Sequence, residues 1–449
     1  MDRPISLPTG LTSSSPRAPE RHLVARDVTE ALAALRAAQP LCYVPADKRP
    51  AVEVLADVLA RHGIGRSDVD DADTRLRRWA SAFIRLFPEL EATAGLIESP
   101  LLDMTGRNVA PGLAIGDPAF IKADHALPVA GSVKARGGVY EVIKHAEWVA
   151  TSAGLLRSGD TPDLLLTPAC RALFADRAVA VGSTGNLGLG IGIMASALGF
   201  KSVVHMSHDA KRWKKELLRS RGVTVIEHRG DYAAAVAAGR AEAAATAGSY
   251  FVDDENSLQL FLGYSTAALR LRDQLDAGCV EVSAERPLRV YLPCGVGGAP
   301  AGITFGLKLL YGDAVECYFA EPVASPCFLL RMLTGGVRCS VYDVGLDNRT
   351  EADGLAVAEA SELAVALTGP LIDGFYTVKD ATLLRQVHRL HDEGIDIEPS
   401  AAAAFLGLGI NASRGSAATE IFWTTGGSFV PAAEMQSYIA RGASLAESP

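Results

Sequence analysis

The stretch Gly131-Ser132-Val133-Lys134-Ala135-Arg136-Gly137-Gly138 decides how the rest of the chain is read. It sets one lysine between small residues, beside an apolar valine and two positions before an arginine. A lysine that is shielded from water has a lowered pKa, and its free amine can form a Schiff base with an aldehyde. Taken alone, such an octapeptide is equally typical of a glycine-flanked surface turn.

Two further glycine-rich stretches each follow a short apolar run. Gly-Ser-Thr-Gly-Asn-Leu-Gly-Leu-Gly occupies 182–190, and Cys-Gly-Val-Gly-Gly-Ala-Pro occupies 294–300. Each pattern predicts a buried strand, a tight turn and the start of a helix. Backbone N–H groups at such a helix start bind anions. One shielded lysine and two such loops suit a ligand that carries an aldehyde and a phosphate, and pyridoxal phosphate (PLP) is such a ligand.

Short apolar runs alternate with helical patterns from about Leu101 onward, and the alternation predicts an α/β fold. The predicted strands are 119–122, 179–181, 203–206, 224–226, 251–252 and 290–292. The predicted helices between them are 140–156, 187–198, 211–220 and 232–247. We expect mostly parallel sheets flanked by helices, with ligands at the carboxyl ends of the strands, where the glycine loops fall.

The chain has 449 residues, which is too long for one ordinary core, and we expect several parts. Residues 1–20 are predicted to form a mobile tail, and 21–95 a helical extension with apolar residues at helix spacing. Residues 96–159 and 266–449 are predicted to form a large PLP-binding domain, and 160–265 a small inserted domain. The cofactor is expected between the two lobes.

Composition excludes several classes of protein. The chain is 49% apolar and 21% charged, which is globular, and its net charge of −9 without a lysine–arginine stripe disfavours nucleic-acid binding. Seven cysteines without a Cys-x-x-Cys pair disfavour a disulfide framework or a zinc site and favour a reducing compartment. No run approaches the ~20 apolar residues of a membrane span, nor is there a secretory signal. We therefore expect a soluble cytoplasmic protein.

Five stretches together resemble those of the bacterial D-serine dehydratases (D-serine ammonia-lyases), a family of tryptophan-synthase-β-like, fold type II PLP enzymes. They are Ser-Val-Lys-Ala-Arg-Gly-Gly (132–138), Gly-Ser-Thr-Gly-Asn-Leu-Gly (182–188), Asp-Asp-Glu-Asn-Ser (253–257), Pro-Cys-Gly-Val-Gly-Gly (293–298) and Thr-Gly-Gly (425–427). Their order and spacing match from about Glu98 to about Val430. The resemblance implies a two-lobed monomer that converts D-serine to pyruvate and ammonia.

The resemblance also assigns residues to the cofactor: Lys134, Asn186, Gly295, Val296, Gly297, Gly298 and Thr425. Lys134 would form the Schiff base and later act as an acid and base. Asn186 would bond the ring hydroxyl oxygen, and the glycine loop would hold the phosphate. Thr425, with Thr424 as the alternative, would face the pyridine nitrogen. A neutral hydroxyl there leaves that nitrogen unprotonated, which suits β-elimination over transamination.

The substrate and a cation receive further residues. Ser183, Thr184 and Gly185 would line the substrate carboxylate, although both hydroxyl residues would equally suit helix capping. A D-substrate held like an L-substrate presents its α-proton to the opposite face, so Lys134, Thr184 and Asp254 all stay candidates for the base. Glu321 lies in a region where relatives bind a monovalent cation, which makes it a candidate potassium ligand.

Two other functions stay open. The nearer one is an L-serine or L-threonine dehydratase of the same fold. The chain ends soon after its Thr-Gly-Gly stretch, which disfavours a feedback-regulated threonine dehydratase with an appended domain. The other is a non-catalytic protein that binds PLP or amino acids, against which the retained Lys134, Asn186 and Thr425 argue.

Overall fold

The computed structural model describes residues 22–113, 117–183, 185–208, 210–230, 232–411 and 418–447, so the predicted tail at 1–20 lies outside the described residues. The strands of the described part are β1 (Leu23–Ala25), β2 (Leu41–Tyr43), β3 (Leu101–Asp103), β4 (Ala119–Lys122), β5 (Ala178–Gly182), β6 (Lys201–Ser207), β7 (Thr224–His228), β8 (Ser249–Val252), β9 (Leu288–Pro293), β10 (Val315–Pro322), β11 (Gly374–Val378) and β12 (Thr419–Trp423).

The helices of the same part, apart from short 3₁₀ turns, are α1 (Val28–Arg36), α2 (Ala51–His62), α3 (Arg66–Arg78), α4 (Ala80–Leu86), α5 (Lys134–Ser152), α6 (Pro168–Ala175), α7 (Asn186–Leu198), α8 (Arg212–Ser220), α9 (Tyr232–Ala245), α10 (Leu258–Ala277), α11 (Gly298–Tyr311), α12 (Cys327–Leu333), α13 (Glu362–Thr368), α14 (Asp380–Asp392), α15 (Pro399–Ala402) and α16 (Ala432–Glu447). Among these described helices, none has the length and apolar character that a bilayer crossing requires.

Two sheets organise the fold. The larger has the order β1-β2-β11-β10-β9-β12-β4-β3, and the smaller has the order β7-β6-β5-β8. All pairings in the smaller sheet are parallel, and those from β11 through β4 in the larger sheet are parallel as well. Only β2 on β11 and β3 on β4 run antiparallel among the described strands. The predicted α/β fold is therefore confirmed, while the domain boundaries stay a prediction.

The N-terminal extension is mainly helical, as the residue spacing predicts, but it also supplies two strands. Leu41 and Cys42 are buried, and β2 pairs with β11 through Tyr43–Phe375 and Cys42–Tyr376. The Leu41 N–H also donates to Thr377 Oγ1 at 3.0 Å. The apolar run 41–43 is too short to show a periodicity, so the sequence predicts only the helices around it and misses this strand.

Helix α5 begins at Lys134, six residues before the helix that the sequence predicts. The Gly137–Gly138 pair suggests a turn, but the structure uses it for close packing inside the helix. A Cβ at Gly137 would lie 2.5 Å from the ring of Tyr264 on α10, and one at Gly138 would lie 3.2 Å from Ile191 on α7. The glycines thus let three helices approach one another beside the lysine.

A buried ionic cluster of Glu98, Lys122, Asp124 and Arg136 anchors the first turn of α5. Arg136 donates to Asp124 through two nitrogens, at 2.7 and 2.8 Å, and to Glu98 Oε1 at 2.7 Å. Trp423 Nε1, at the end of β12, donates to the same Asp124 at 2.9 Å. The cluster therefore ties the helix that starts at Lys134 to the end of a central strand.

Candidate active site

A cleft of about 650 Å³ opens where strands of both sheets reach their carboxyl ends. The residues just after β5, β8, β9 and β12 all contribute to its wall, as open α/β sheets lead one to expect. Its lining includes most of the residues that the sequence assigns to the site: Lys134, Ser183, Asn186, Asp254, Gly295, Val296, Gly297 and Thr425.

Lys134 points its amine into this cleft. The Nζ lies 3.6 Å from Asp254 Oδ2 and 5.5 Å from the centre of the Tyr264 ring, and the side chain is 18% exposed. Backbone contacts fix its position, because the Val133 N–H donates to the Thr425 carbonyl at 2.9 Å and Ser132 pairs with Gly426 in an isolated β-bridge. Lys134 and Thr425, nearly 300 positions apart, are thereby brought together.

Asp254 lies between the lysine and the second glycine loop. Its Oδ1 is buried and has no hydrogen-bond partner among the residues that the structure describes. A Cβ at Gly298, the first residue of α11, would lie 3.6 Å from that oxygen. A buried carboxylate oxygen without a partner is costly unless a ligand or a proton engages it. Asp254 is thus available for chemistry at the amine.

The first glycine loop joins β5 to α7. Ser183 Oγ accepts hydrogen bonds from the N–H groups of Gly185 and Gly188, both at 2.9 Å, so the serine caps the helix. Gly185 adopts a φ of +145°, and a Cβ there would lie 2.2 Å from Lys214 Cδ. Only glycine fits this position. Thr184 lies outside the described residues, and its predicted role stays a prediction.

The second glycine loop joins β9 to α11. Gly297 adopts a φ of +104° as the N-cap of α11, and a Cβ there would lie 2.5 Å from the Phe328 ring. A Cβ at Gly295 would lie 3.1 Å from the Gly354 carbonyl oxygen. Among the described residues, no side chain caps the N–H groups at the start of α11. These N–H groups lie at the positive end of a helix of 14 residues, where an anion is favoured, and the predicted phosphate site there stays a prediction.

The two adjacent threonines have different surroundings. Thr424 Oγ1 bonds the Lys122 carbonyl at 2.9 Å and His125 Nδ1 at 2.7 Å, and the residue is fully buried. Thr425 Oγ1 is buried in the cleft wall and has no partner within the described part of the chain. Thr425 thus has the hydroxyl that a ligand could use, and Thr424 does not.

Asn186 and a residue that the sequence does not identify, Glu398, share a hydrogen bond. Asn186 Nδ2 donates to Glu398 Oε1 at 2.7 Å, and Glu398 lines the cleft. Burial raises the pKa of the Glu398 carboxyl above its usual value, and the Lys214 ammonium 3.8 Å away only partly offsets this. Glu398 belongs to no motif, and only the folded chain brings it to Asn186.

Tyr232, at the start of α9, is a second cleft residue that the sequence does not identify. Its hydroxyl is buried and, like that of Ser132, makes no hydrogen bond with any described residue. Burial raises the pKa of Tyr232 well above its usual value, so the hydroxyl stays protonated and can donate. From the sequence, Tyr232 is predicted only as the first residue of a helix.

Glu321 does not line the cleft, and its carboxylate caps α12 instead. It is fully buried, and its two oxygens accept the N–H groups of Phe328 and Leu329 at 2.8 and 2.9 Å. Burial raises the pKa of Glu321 to about 8. No group of three or more His, Cys, Asp or Glu side chains with the geometry of a metal site occurs among the described residues. The potassium site at Glu321 stays a prediction.

The cleft residues fit a ligand that carries a phosphate, an aldehyde and a polar ring. The uncapped start of α11 suits the phosphate, and the Lys134 amine suits the aldehyde. Three buried groups of the cleft lining without partners in the described chain, the Tyr232 hydroxyl, Asp254 Oδ1 and Thr425 Oγ1, offer hydrogen bonds to further polar atoms. PLP has all of these features.

Comparisons with known proteins point the same way. Residues 99–421 match the family described as "Pyridoxal-phosphate dependent enzyme". The chain is 52% identical to a protein of Acidovorax ebreus over 92% of this chain and 96% of that one, and 51% identical to a protein of Chromobacterium violaceum over 88% and 92%. Both are named "Probable D-serine dehydratase". The fold is similar to that of holo diaminopropionate ammonia lyase from Escherichia coli, with a TM-score of 0.67, 16% identity, and coverage of 90% of this chain and 97% of that one.

Proposed function

Because the chain belongs to the family of pyridoxal-phosphate-dependent enzymes, we propose that it is a D-serine dehydratase, which converts D-serine to pyruvate and ammonia by β-elimination. The observation that carries the proposal is the convergence of the Lys134 amine, Asp254 and Thr425 in one cleft beside the uncapped helix α11. The names of the relatives, at about half identity over most of both chains, support D-serine as the substrate.

Four parts of the cleft hold the cofactor. The Lys134 amine binds the aldehyde carbon, and the N–H groups of Gly297 and Gly298 at the start of α11 bind the phosphate. Asn186 donates its second Nδ2 hydrogen to the ring hydroxyl oxygen. Thr425 Oγ1 donates to the pyridine nitrogen, which stays unprotonated beside a neutral hydroxyl. When bound, PLP supplies an electron-withdrawing group on the substrate nitrogen that stabilises negative charge at Cα.

The first glycine loop binds the substrate carboxylate. The Ser183 Oγ accepts two backbone hydrogen bonds and keeps its own hydrogen free to donate. Gly185 lies at the start of α7, whose positive end attracts an anion. Thr184 shares this role by its position in the sequence. Together they orient the substrate so that its amine reaches Lys134.

With PLP and substrate bound, the Lys134 amine would be placed to move protons at the substrate. Asp254, 3.6 Å away, stabilises the ammonium that forms. That ammonium can return its proton to the departing β-hydroxyl, which leaves as water. One water is lost from the β-carbon and one is gained when the C–N bond is hydrolysed, so D-serine yields pyruvate and ammonia in balance.

D-serine presents its α-proton to the face opposite to that of an L-substrate. Asp254 and Thr184 are therefore the two candidates, besides Lys134 itself, for the group that helps to remove this proton. Exchange of the α-hydrogen of D-serine in D₂O should fall in Asp254→Asn if Asp254 supports the base, and in Thr184→Val if the threonine does. We expect the larger loss in Asp254→Asn, because its carboxylate lies against the amine. A loss confined to Thr184→Val would transfer the role to the threonine.

The function is tested by 2-oxo acid release from the PLP-loaded protein with D-serine, L-serine, D-threonine and L-threonine in parallel, with potassium present. We expect pyruvate from D-serine and little product from the L-isomers. Release mainly from an L-isomer would show that D-serine is not the main substrate, while the assignment of the cleft as the active site would stand. A yellow, cofactor-bound protein without product from any of the four would favour a binding protein.

Three other assignments belong to the same proposal. Glu321 is a ligand of a potassium ion, supported by its burial and by oxygens with spare lone pairs. This assignment predicts that replacing potassium by lithium lowers the turnover of the wild type and has no effect on the turnover of Glu321→Gln. The protein is a cytoplasmic monomer that acts on a small molecule, and sedimentation of the purified protein tests the monomer.

A further inference from the structure

Lys214 joins elements of the two sheets through buried ion pairs. It lies on α8, which packs beside the smaller sheet, and its side chain is only 1% exposed. Its Nζ lies 2.9 Å from Asp353 Oδ2 and 3.8 Å from Glu398 Oε2. Asp353 lies in a short turn that packs on α15, and Glu398 directly precedes α15. The turn that follows α15, at 403–406, packs on β9 and β10 of the larger sheet. The ammonium group therefore spans the two layers that enclose the cleft.

Glu398 connects this lysine to the cleft. One carboxylate oxygen faces Lys214, and the other accepts the Asn186 Nδ2 hydrogen bond at 2.7 Å. A Cβ at Gly426 would lie 2.3 Å from Glu398 Oε1, so the backbone beside Thr425 packs tightly on the carboxylate. Glu398 thus has little freedom to move away from Asn186.

We propose that Lys214 is a positioning residue whose charge keeps Glu398 ionised, so that Glu398 holds the Asn186 amide with its second Nδ2 hydrogen turned toward the cleft. An ionised carboxylate only accepts hydrogen bonds, so it must face the NH₂ end of the amide. A protonated carboxyl can donate instead, and the amide could then turn its oxygen to it. The proposal rests on the proposed function for one point, that this hydrogen meets the ring oxygen of the cofactor.

The charges around Glu398 decide its protonation. The pKa of Glu398 is raised above its usual value, because burial and Asp353 together outweigh Lys214, the Asn186 hydrogen bond and the more distant Lys211, which lower it. Lys211 is engaged elsewhere, because its Nζ bonds Glu434 and the Tyr438 hydroxyl, both at 2.9 Å. Lys214 is therefore the cation that most opposes the protonation of Glu398, and its loss should raise the pKa of Glu398 further.

Lys215, the next residue along α8, provides a matched control. It is also buried, with 7% of its side chain exposed, and it pairs with Glu227 Oε2 at 2.7 Å and with the His208 carbonyl. Glu227 lies in β7 and His208 directly follows β6, so both partners belong to the smaller sheet. Lys215→Met therefore removes a buried charge from the same helix without touching Glu398. Lys214→Met keeps the stem that packs on Gly185 and removes only the ammonium.

The test compares these two variants as PLP-loaded proteins, by the pH dependence of kcat/KM for D-serine and of the absorption band of the bound cofactor. In Lys214→Met, we expect the acid limb of both curves to move up by about one pH unit or more, since the neighbouring cation is gone. Lys215→Met should keep the wild-type curves, and Lys214→Arg should restore them in part. The double variant Lys214→Met with Glu398→Gln should lose the shift, because no ionisable carboxyl is left.

Curves of Lys214→Met that coincide with those of Lys215→Met would overturn the proposal, as would a shift that persists in the double variant. If the wild type bound the cofactor but released no pyruvate, the proposed function would be wrong. The role of Lys214 could still be tested, since the pH dependence of the absorption band would still depend on the protonation of Glu398.

A measurement on the apoprotein needs neither cofactor nor turnover. In Lys214→Met the further raised pKa of Glu398 makes the free energy of unfolding fall more steeply with rising pH than in the wild type, because the folded state must release a proton that it holds more tightly. Urea unfolding should show this fall in Lys214→Met and not in the double variant. The same pH dependence in both variants would contradict the proposal.

Discussion

Two lysines close in the sequence, Lys122 and Lys134, lie in opposite kinds of surroundings. Lys122 Nζ has three acceptors, Glu98 Oε1 at 2.6 Å, the Ser99 carbonyl at 2.7 Å and Ser99 Oγ at 2.8 Å. Lys134 Nζ has one carboxylate at 3.6 Å. An ammonium has three hydrogens, so Lys122 is fully engaged and Lys134 is not. The first lysine holds the fold, and the second is free for a ligand.

The same contrast extends to the groups around each lysine. In the buried ionic cluster, Arg136 and Lys122 neutralise two carboxylates, and every charged side chain has close partners. In the cleft, Tyr232, Thr425 and Asp254 each keep a buried oxygen without a partner among the described residues. Buried polar groups are usually paired, so a concentration of unpaired ones marks the place where a ligand completes the structure.

The largest effect is expected for Lys134→Ala on turnover. Loss of the amine removes both the attachment of the cofactor and the proton carrier, so pyruvate release from D-serine should fall at least about 10³-fold. The free energy of unfolding of the apoprotein should change little, because within the described part of the chain the amine makes only a long ion pair with Asp254 and a contact with the Tyr264 ring. Turnover above a tenth of the wild type would remove Lys134 from the mechanism.

Arg136→Met should show the opposite behaviour, with a loss of stability. The change leaves Asp124 buried without its cation, and such a loss costs about 3–5 kcal/mol. Urea unfolding measures it, with Arg212→Met as the control, since Arg212 is an exposed arginine with a surface pair. An Arg136→Met protein that is as stable as the wild type but has lost turnover would show that the ionic cluster serves the active site, and it would contradict a purely structural role.

The pH dependence of stability should show the cluster through Glu98. Burial raises the pKa of Glu98, but Arg136 and Lys122 outweigh it and lower the pKa to about 2. A depressed folded-state pKa contributes stability above the unfolded value, and this contribution is lost as the pH falls toward 2. The wild type should exceed Glu98→Gln by about 3 kcal/mol at pH 7. Unfolding curves of the two proteins should converge as the pH falls, and a constant gap would contradict the ionic origin.

The smallest effects are expected for the two threonines. Thr424→Val loses hydrogen bonds to the Lys122 carbonyl and to His125, and should lower the free energy of unfolding by about 1–3 kcal/mol. Thr425→Val replaces a hydroxyl that is unpaired in the described structure, so the apoprotein should stay as stable as the wild type. Its effect should appear in kcat and in the absorption of the bound cofactor. The reverse distribution of effects would exchange the roles of Thr424 and Thr425.

Local patterns in the sequence predict a large part of this molecule. The strand, glycine loop and helix units at 178–198 and 288–311 form as expected, since apolar runs and glycines act over a few residues. The same stretches bring Lys134, Asn186, Asp254 and Thr425 into one cleft. The helix start at Lys134 was predicted too late, because the packing needs of Gly137 and Gly138 depend on Tyr264 and Ile191 far along the chain.

Glu398, Lys214 and Tyr232 could not be identified from the sequence. Glu398 meets Asn186 across 212 positions and Lys214 meets Asp353 across 139, so no short pattern records the contacts. A lone lysine or glutamate on a helix is usually solvated, and only burial distinguishes these from the surface residues around them. Such residues become visible once the fold has brought their partners together.

The most direct test of the contrast between the two lysines is to find which one carries the cofactor. Borohydride reduction of the PLP-loaded protein fixes the cofactor to the lysine that holds it, and peptide mass spectrometry locates that lysine. The account predicts the mass of the reduced cofactor on the peptide that contains Lys134, and an unmodified Lys122. Labelling of Lys122, Lys214 or any other lysine in place of Lys134 would contradict it.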